Sequence, residues 1–123
     1  MAQKFVLTDF PAPAVNAREG IHFRYADRNL LVGFRDAMNN GVHIRFNDVL
    51  GIRWSQDEQS RTKLRDDKVY EVHDSKWIRQ IKRAGTISKG LNEYRHLKIG
   101  FNESGSFLEV VFKGRAKMEH GTI

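Results

Sequence analysis

The side chains in this chain that could do chemistry are few, and their spacing is uninformative for catalysis. Five histidines, His22, His43, His73, His96 and His120, are the natural metal ligands or proton carriers. None is paired with another at the spacing that sets two imidazoles on one helix face. With no cysteine in the chain, no thiolate completes a zinc set. All five are therefore expected on the solvated side of strands, with no metal and no cofactor. A serine nucleophile needs a neighbouring base held by a third group. Ser104-Gly105-Ser106 lacks the strand-to-helix elbow of a nucleophilic serine and reads as a turn. The glycines follow neither dinucleotide-binding nor phosphate-loop spacing. The chain is expected to be a binding protein, not an enzyme.

Charge gives a sharper pattern. From Ser75 to Asn92 the sequence carries Lys76, Arg79, Lys82, Arg83 and Lys89 without one acid, and this segment holds most of the formal net charge of +6. Such a run can contact phosphates, and Arg24, Arg45 and Arg53 on polar strand positions are expected to extend it. The opposite sign gathers just before it, where Asp57, Glu58, Asp66, Asp67, Glu71 and Asp74 outnumber Arg61, Lys63, Arg65 and Lys68. A mixed-charge junction of this kind suits docking to a protein, because complementary potentials steer one partner and reject others. The residues assigned to partner binding are Asp66, Asp67, Glu71, Asp74, Lys76, Arg79, Lys82 and Arg83.

The elements that position these residues follow from periodicity. A short strand over Phe5 to Thr8 precedes an extended arm that carries Pro11 and Pro13 and runs to Gly20. Ile21, Phe23 and Tyr25 alternate with His22 and Arg24, and a turn at Asp27-Arg28-Asn29 leads to Leu30, Val32 and Phe34 in the same phase. Val42, Ile44 and Phe46 repeat the pattern, and Val49, Ile52 and Trp54 continue it around Gly51, a place for a bulge. Phe23, Phe34, Phe46, Trp54 and Phe101 are in phase with the aliphatic residues and are expected in the core. That placement weakens a nucleic-acid reading, which needs exposed aromatics among the basic groups. Gln56 to Asp67 reads as a loop and Lys68 to His73 as a strand burying Tyr70 and Val72. Asp74 or Ser75 caps a helix whose buried stripe is Trp77, Ile78, Ile81 and Ala84, ending at Gly85. Ser88 to Glu93 is read as a short turn. Strands at Leu97 to Phe101 and Phe107 to Phe112 form a closing hairpin around Asn102 to Ser106, and the tail from Lys113 is expected to fray.

One domain spanning residues 1–123 is expected, with 1–20 as an N-terminal arm and 113–123 as a frayed tail. The fold class is α+β, mostly antiparallel β. A curved sheet or small barrel, with a pleckstrin-homology-like arrangement as one candidate, carries one amphipathic helix near residues 75–84. No apolar stretch reaches the ~20 residues that cross a bilayer. With the absence of cysteine, this leads to the expectation of a cytoplasmic protein without a membrane partner.

Several strings taken together carry a likeness: Ile44-Arg45-Phe46-Asn47-Asp48-Val49, Tyr70-Glu71-Val72-His73-Asp74-Ser75-Lys76-Trp77-Ile78, Tyr94-Arg95-His96-Leu97-Lys98-Ile99 and Leu108-Glu109-Val110-Val111. This succession, over Val42 to Phe112, resembles small bacterial immunity proteins of polymorphic toxin systems, including contact-dependent growth inhibition. In them a strand leads through an acidic-Ser-x-aromatic helix start to a Tyr/His strand and a Glu-Val strand. The resemblance implies one-to-one binding of a cognate toxin in the cytosol of the producing cell, with the toxin's active site masked or distorted and no catalytic residue. Immunity proteins against nucleases are often acidic, whereas this chain is basic. Either the acidic patch before the helix is the mask, or the toxin is not a basic nuclease. The alternative function is a small nucleic-acid-binding module that uses the basic helix.

Overall fold

A computed structural model describes residues 4–10, 21–36, 38, 40–56, 69–85, 93–101 and 106–120. Its elements in chain order are β1 (Lys4–Leu7), β2 (His22–Ala26), β3 (Asn29–Arg35), β4 (Gly41–Phe46), β5 (Val49–Gln56), β6 (Val69–His73), α1 (Lys76–Arg83), β7 (Tyr94–Phe101), β8 (Ser106–Lys113) and β9 (Lys117–His120). The fold is α+β, mostly antiparallel β, with one helix. The arm over 11–20, the loop over 57–67 and the turns at 88–92 and 102–105 lie outside the described residues, as do Asp66, Asp67 and Lys89.

Two sheets form: a five-stranded one in the order β1-β6-β7-β8-β5 and a four-stranded one in the order β2-β3-β4-β9. They remain separate and do not close, so of the two expected architectures the structure has curved sheets and not a barrel. The chain crosses from one sheet to the other at Asp48, whose φ of 49° turns the backbone there. Hydrogen bonds from Val49 N–H to the Arg28 carbonyl and from Lys113 N–H to the Asn47 carbonyl tie down this corner. For that reason β5 does not extend the meander of β2 to β4. It pairs instead with β8, with a register shift between Val49 and Gly51 at the expected bulge.

The core lies between the sheets. Leu30, Val32, Phe34, Val42, Ile44 and Phe46 from one meet Val49, Val69, Leu97, Ile99, Leu108, Val110 and Phe112 from the other. Period-two alternation puts these residues on one face of each strand, and their burial supplies the main favourable term of folding. Tyr70 and Val72 are buried as expected, and so is Val69, because β6 is covered on both faces. Within the tail expected to fray, Lys117–His120 instead pairs antiparallel with β4, from Val42 opposite His120 to Arg45 opposite Lys117, and 121–123 lie outside the described residues. Gly114, at φ +84°, makes the turn that returns the chain to this edge.

Helix α1 lies on the other face of the five-stranded sheet, giving a third layer. Ile78 packs on Val111, with Leu50, Trp77, Ile81 and Tyr94 around them. Ala84, assigned to the buried stripe, is exposed as the C-cap, because the helix ends at Arg83. Trp77 seats its ring on the bare backbone of Gly51, where an added Cβ would meet the ring at 2.6 Å. Gly51→Ala should therefore push Trp77 off the sheet and cost about 1–3 kcal/mol, the usual range for overpacking. Urea denaturation of the variant checks this.

Candidate functional site

The least expected feature is a polar chain buried between the helix and the sheet. Strand β6 ends at Asp74, whose φ of 56° redirects the backbone so that Ser75 becomes the N-cap of α1. The Ser75 hydroxyl accepts from the Ile78 N–H at 3.1 Å and lies 2.8 Å from Nδ1 of His96. On its other side, Nε2 of His96 is 2.8 Å from Oε1 of Glu109. Arg53 then closes a fork on the same carboxylate, donating Nε to Oε2 at 2.8 Å and a terminal nitrogen to Oε1 at 3.1 Å. Ser75, His96 and Glu109 are only 5, 2 and 3% exposed. No buried polar side-chain atom among the described residues lacks a partner.

An ionised carboxylate can only accept, which places a proton on Nε2 of His96. In the neutral ring Nδ1 then accepts from the Ser75 hydroxyl. Burial alone would raise the Glu109 pKa. The hydrogen bonds from His96 and Arg53, together with the Arg53 charge, outweigh that effect and hold it at about 2. Trp77 and His96 meet edge to face with ring centroids 5.3 Å apart, and the Arg53 guanidinium lies over the same indole, 4.5 Å from its centroid.

Serine, histidine and carboxylate in line resemble a nucleophilic triad in composition, but the serine here is spent on structure. Its oxygen is engaged as the helix cap and is closed to solvent, so attack on a substrate would require breaking the cap. The network pins the start of α1 to the centre of the sheet. Ser75→Ala should remove the cap and leave Nδ1 without its partner, at a cost of about 2 kcal/mol, the upper part of the range for lost N-caps. A thermal melt measures it.

The predicted docking residues divide into groups. Glu71, Asp74 and Arg79 meet around a cleft of about 250 Å³ that Ser75, Tyr94 and Arg95 also line. Its acids are answered by arginines, with Arg95 3.2 Å from Glu71 and Arg79 3.7 Å from Asp74, and the His73 ring also lies 3.4 Å from Glu71. Lys76, Lys82 and Arg83 are exposed along the helix. Arg24, Arg45 and Arg53 do not extend this patch. Arg53 is consumed by Glu109 and Trp77, while Arg24 and Arg45 are on the outer face of the four-stranded sheet, two layers away from the helix.

Two aromatic assignments also change. Phe23 and Trp54 are 50 and 47% exposed, with Tyr25 and Ile52 exposed beside them in sequence phase. Their alternation gives the correct face, but β2 and β5 are edge strands of their sheets, so the inward side of each is flanked by a neighbouring strand on one side alone. Phe23 and Trp54 meet edge to face, with centroids 6.1 Å apart, across the mouth of the sandwich. Arg24 and Arg53, their neighbours in sequence, point to the opposite faces of the same strands. Among the described residues of these two strands, the side that faces the mouth is thus apolar and not cationic. Sequence reasoning missed this surface because periodicity reports a face and not its cover.

His96 is the second correction among the polar residues. It is buried, whereas His22 and His73 are exposed and His43 is partly so. Among the described residues, no three histidine or acidic side chains are grouped to hold a metal, and no helix is long and apolar enough to cross a membrane. The chain matches no protein-family model, and no curated protein or solved structure is significantly similar to it.

Proposed function

We propose that this chain is a non-catalytic protein-binding domain, an immunity protein that neutralises a cognate toxin in a one-to-one complex in the cytoplasm. The observation that carries the reading is the exposed aromatic mouth formed by Phe23, Tyr25, Ile52 and Trp54. Large aromatic anchors gathered at one exposed place are the composition of binding hot spots, and contiguous exposed apolar surface marks interaction sites. The separation of these rings from the cations favours a protein partner over a nucleic-acid strand, for which stacking and charge act together. The charged junction of Glu71, Asp74, Lys76, Arg79, Lys82 and Arg83 would then steer encounter and supply rim contacts. A structural use of Ser75 and His96 fits a protein that acts by occupancy.

Affinity capture from the source cell, with the full chain as bait, tests the reading. One stoichiometric protein partner, encoded directly beside this chain and toxic without it, is the expected result. Recovery of nucleic acid without a dominant protein would refute it.

A further inference from the structure

The outer face of the four-stranded sheet carries a second positive surface, separate from both the helix and the aromatic mouth. Strand register sets Arg24, Leu31, Arg45 and Lys117 opposite one another, one residue from each strand, in a single row across the sheet. The next row is His22, Gly33, His43 and Glu119, and beyond it Arg35 faces Gly41. Four cations thus stand against the carboxylate of Glu119, which reaches Arg45 only at 4.0 Å. At the usual strand spacing of about 4.8 Å, Arg24 and Arg45 are about 10 Å apart, with Lys117 one strand further on.

The ground between them is low. Arg24 and Arg45 flank a trough of about 250 Å³ whose floor includes Ala26, Asn29 and Leu31. Gly33 has no side chain, so the His43 ring lies across β3, where a Cβ would approach it to 2.8 Å. Two guanidiniums on either side of a trough, with a third cation in line, match a regular row of phosphates.

The chemistry of the face selects among polyanions. A protein interface needs an apolar centre, and the rings of β2 point the other way, towards the mouth. Single-stranded nucleic acid needs a run of stacking platforms, for which the described side chains of this face offer the imidazoles of His22 and His43 but no Phe, Tyr or Trp. What remains is a rigid backbone held by charge. We infer that the outer face of the four-stranded sheet is a sequence-independent contact for the phosphate backbone of duplex nucleic acid, made by Arg24, Arg45 and Lys117. This contact does not depend on the toxin-binding reading, since it uses the opposite face of β2.

The probe is a fluorescein-labelled DNA duplex of about 20 base pairs, titrated with the full chain by fluorescence anisotropy over a range of salt. Three phosphate contacts give a slope of log K against log salt of about −2.7, or about 250-fold weaker binding between about 25 and about 200 mM salt. Arg24→Ala with Arg45→Ala should flatten the slope to about −0.9, and Arg24→Lys with Arg45→Lys should keep it near the parent value. Lys82→Ala with Arg83→Ala on the helix should leave it unchanged. All these side chains are exposed, and matching melting curves establish that the variants are folded. The inference is overturned by any of four results: no duplex binding at the lowest salt, an unaltered slope in the alanine pair at Arg24 and Arg45, a slope that flattens in the helix pair instead, or tighter binding of polyglutamate of matched charge.

Discussion

Glu109→Ala is expected to destabilise the fold by about 3 kcal/mol, the lower end of the range for removing one partner of a buried ion pair. The lower end applies because Arg53 is half exposed and water screens it once its partner is lost, whereas His96 is sealed and would keep an unsatisfied N–H. For a chain of this length that is a fall in melting temperature of about 12 °C. The same carboxylate predicts an acid response with a definite sign. Its pKa is lowered from 4.5 to about 2 on folding. A depressed folded-state pKa contributes stability that is present above the unfolded value and is lost as pH falls through the folded one. The contribution is about 3 kcal/mol at neutral pH, of which about 2 kcal/mol is gone by about pH 3. Urea denaturation of the parent and of Glu109→Gln at both pH values isolates the effect. The loss between the two should be smaller by about 2 kcal/mol in the variant. An equal loss in both proteins would mean that the network does not hold the carboxylate ionised.

The second large effect concerns binding. Trp54→Ala combined with Phe23→Ala should weaken the complex with the captured partner by about 3 kcal/mol, or about 150-fold, in the range for paired hot-spot residues. Because both rings are about half exposed in the free chain, the same change should cost stability far less than a core truncation of like size. A large loss of affinity with a small loss of stability separates an interface residue from a core residue. Isothermal titration of the complex, paired with a thermal melt of the free variant, reads both.

These two sites also mark where the sequence was legible and where it was not. Hairpins, phases and the helix cap all follow from local rules, so β2 to β4, the bulge at Gly51 and the start of α1 at Ser75 are readable in advance. Burial is a tertiary property. Phe23 and Trp54 carry the same alternation as Phe34 and Phe46, and their place on edge strands leaves them exposed. His96 and Glu109 occupy the polar phase of their strands, which is solvated in a two-layer protein and buried once a helix covers it. One signal of that third layer is present in β8, where Phe107-Leu108-Glu109-Val110-Val111-Phe112 is apolar in both phases apart from Glu109. A strand apolar on both sides is covered on both, and an acid within it needs a buried partner. No such signal foretold β9, because Lys117-Met118-Glu119-His120 is polar and gains its place by pairing with the edge of β4. The charged junction was read as one surface, yet Glu71 pairs with Arg95 and Asp74 with Arg79, and Arg24 and Arg45 lie on a different layer from the helix.

The central claim is that this protein acts by docking its aromatic mouth on a protein partner. Its most direct test is the affinity of the captured partner for two variants measured side by side: Phe23→Ala with Trp54→Ala, and Lys82→Glu with Arg83→Glu. Docking through the mouth gives a loss of about 150-fold for the aromatic pair, and for the charge pair a loss of about tenfold or less that shrinks as salt is raised. Undiminished affinity in the aromatic pair, with binding abolished in the charge pair, would contradict it and move the docking face to the helix.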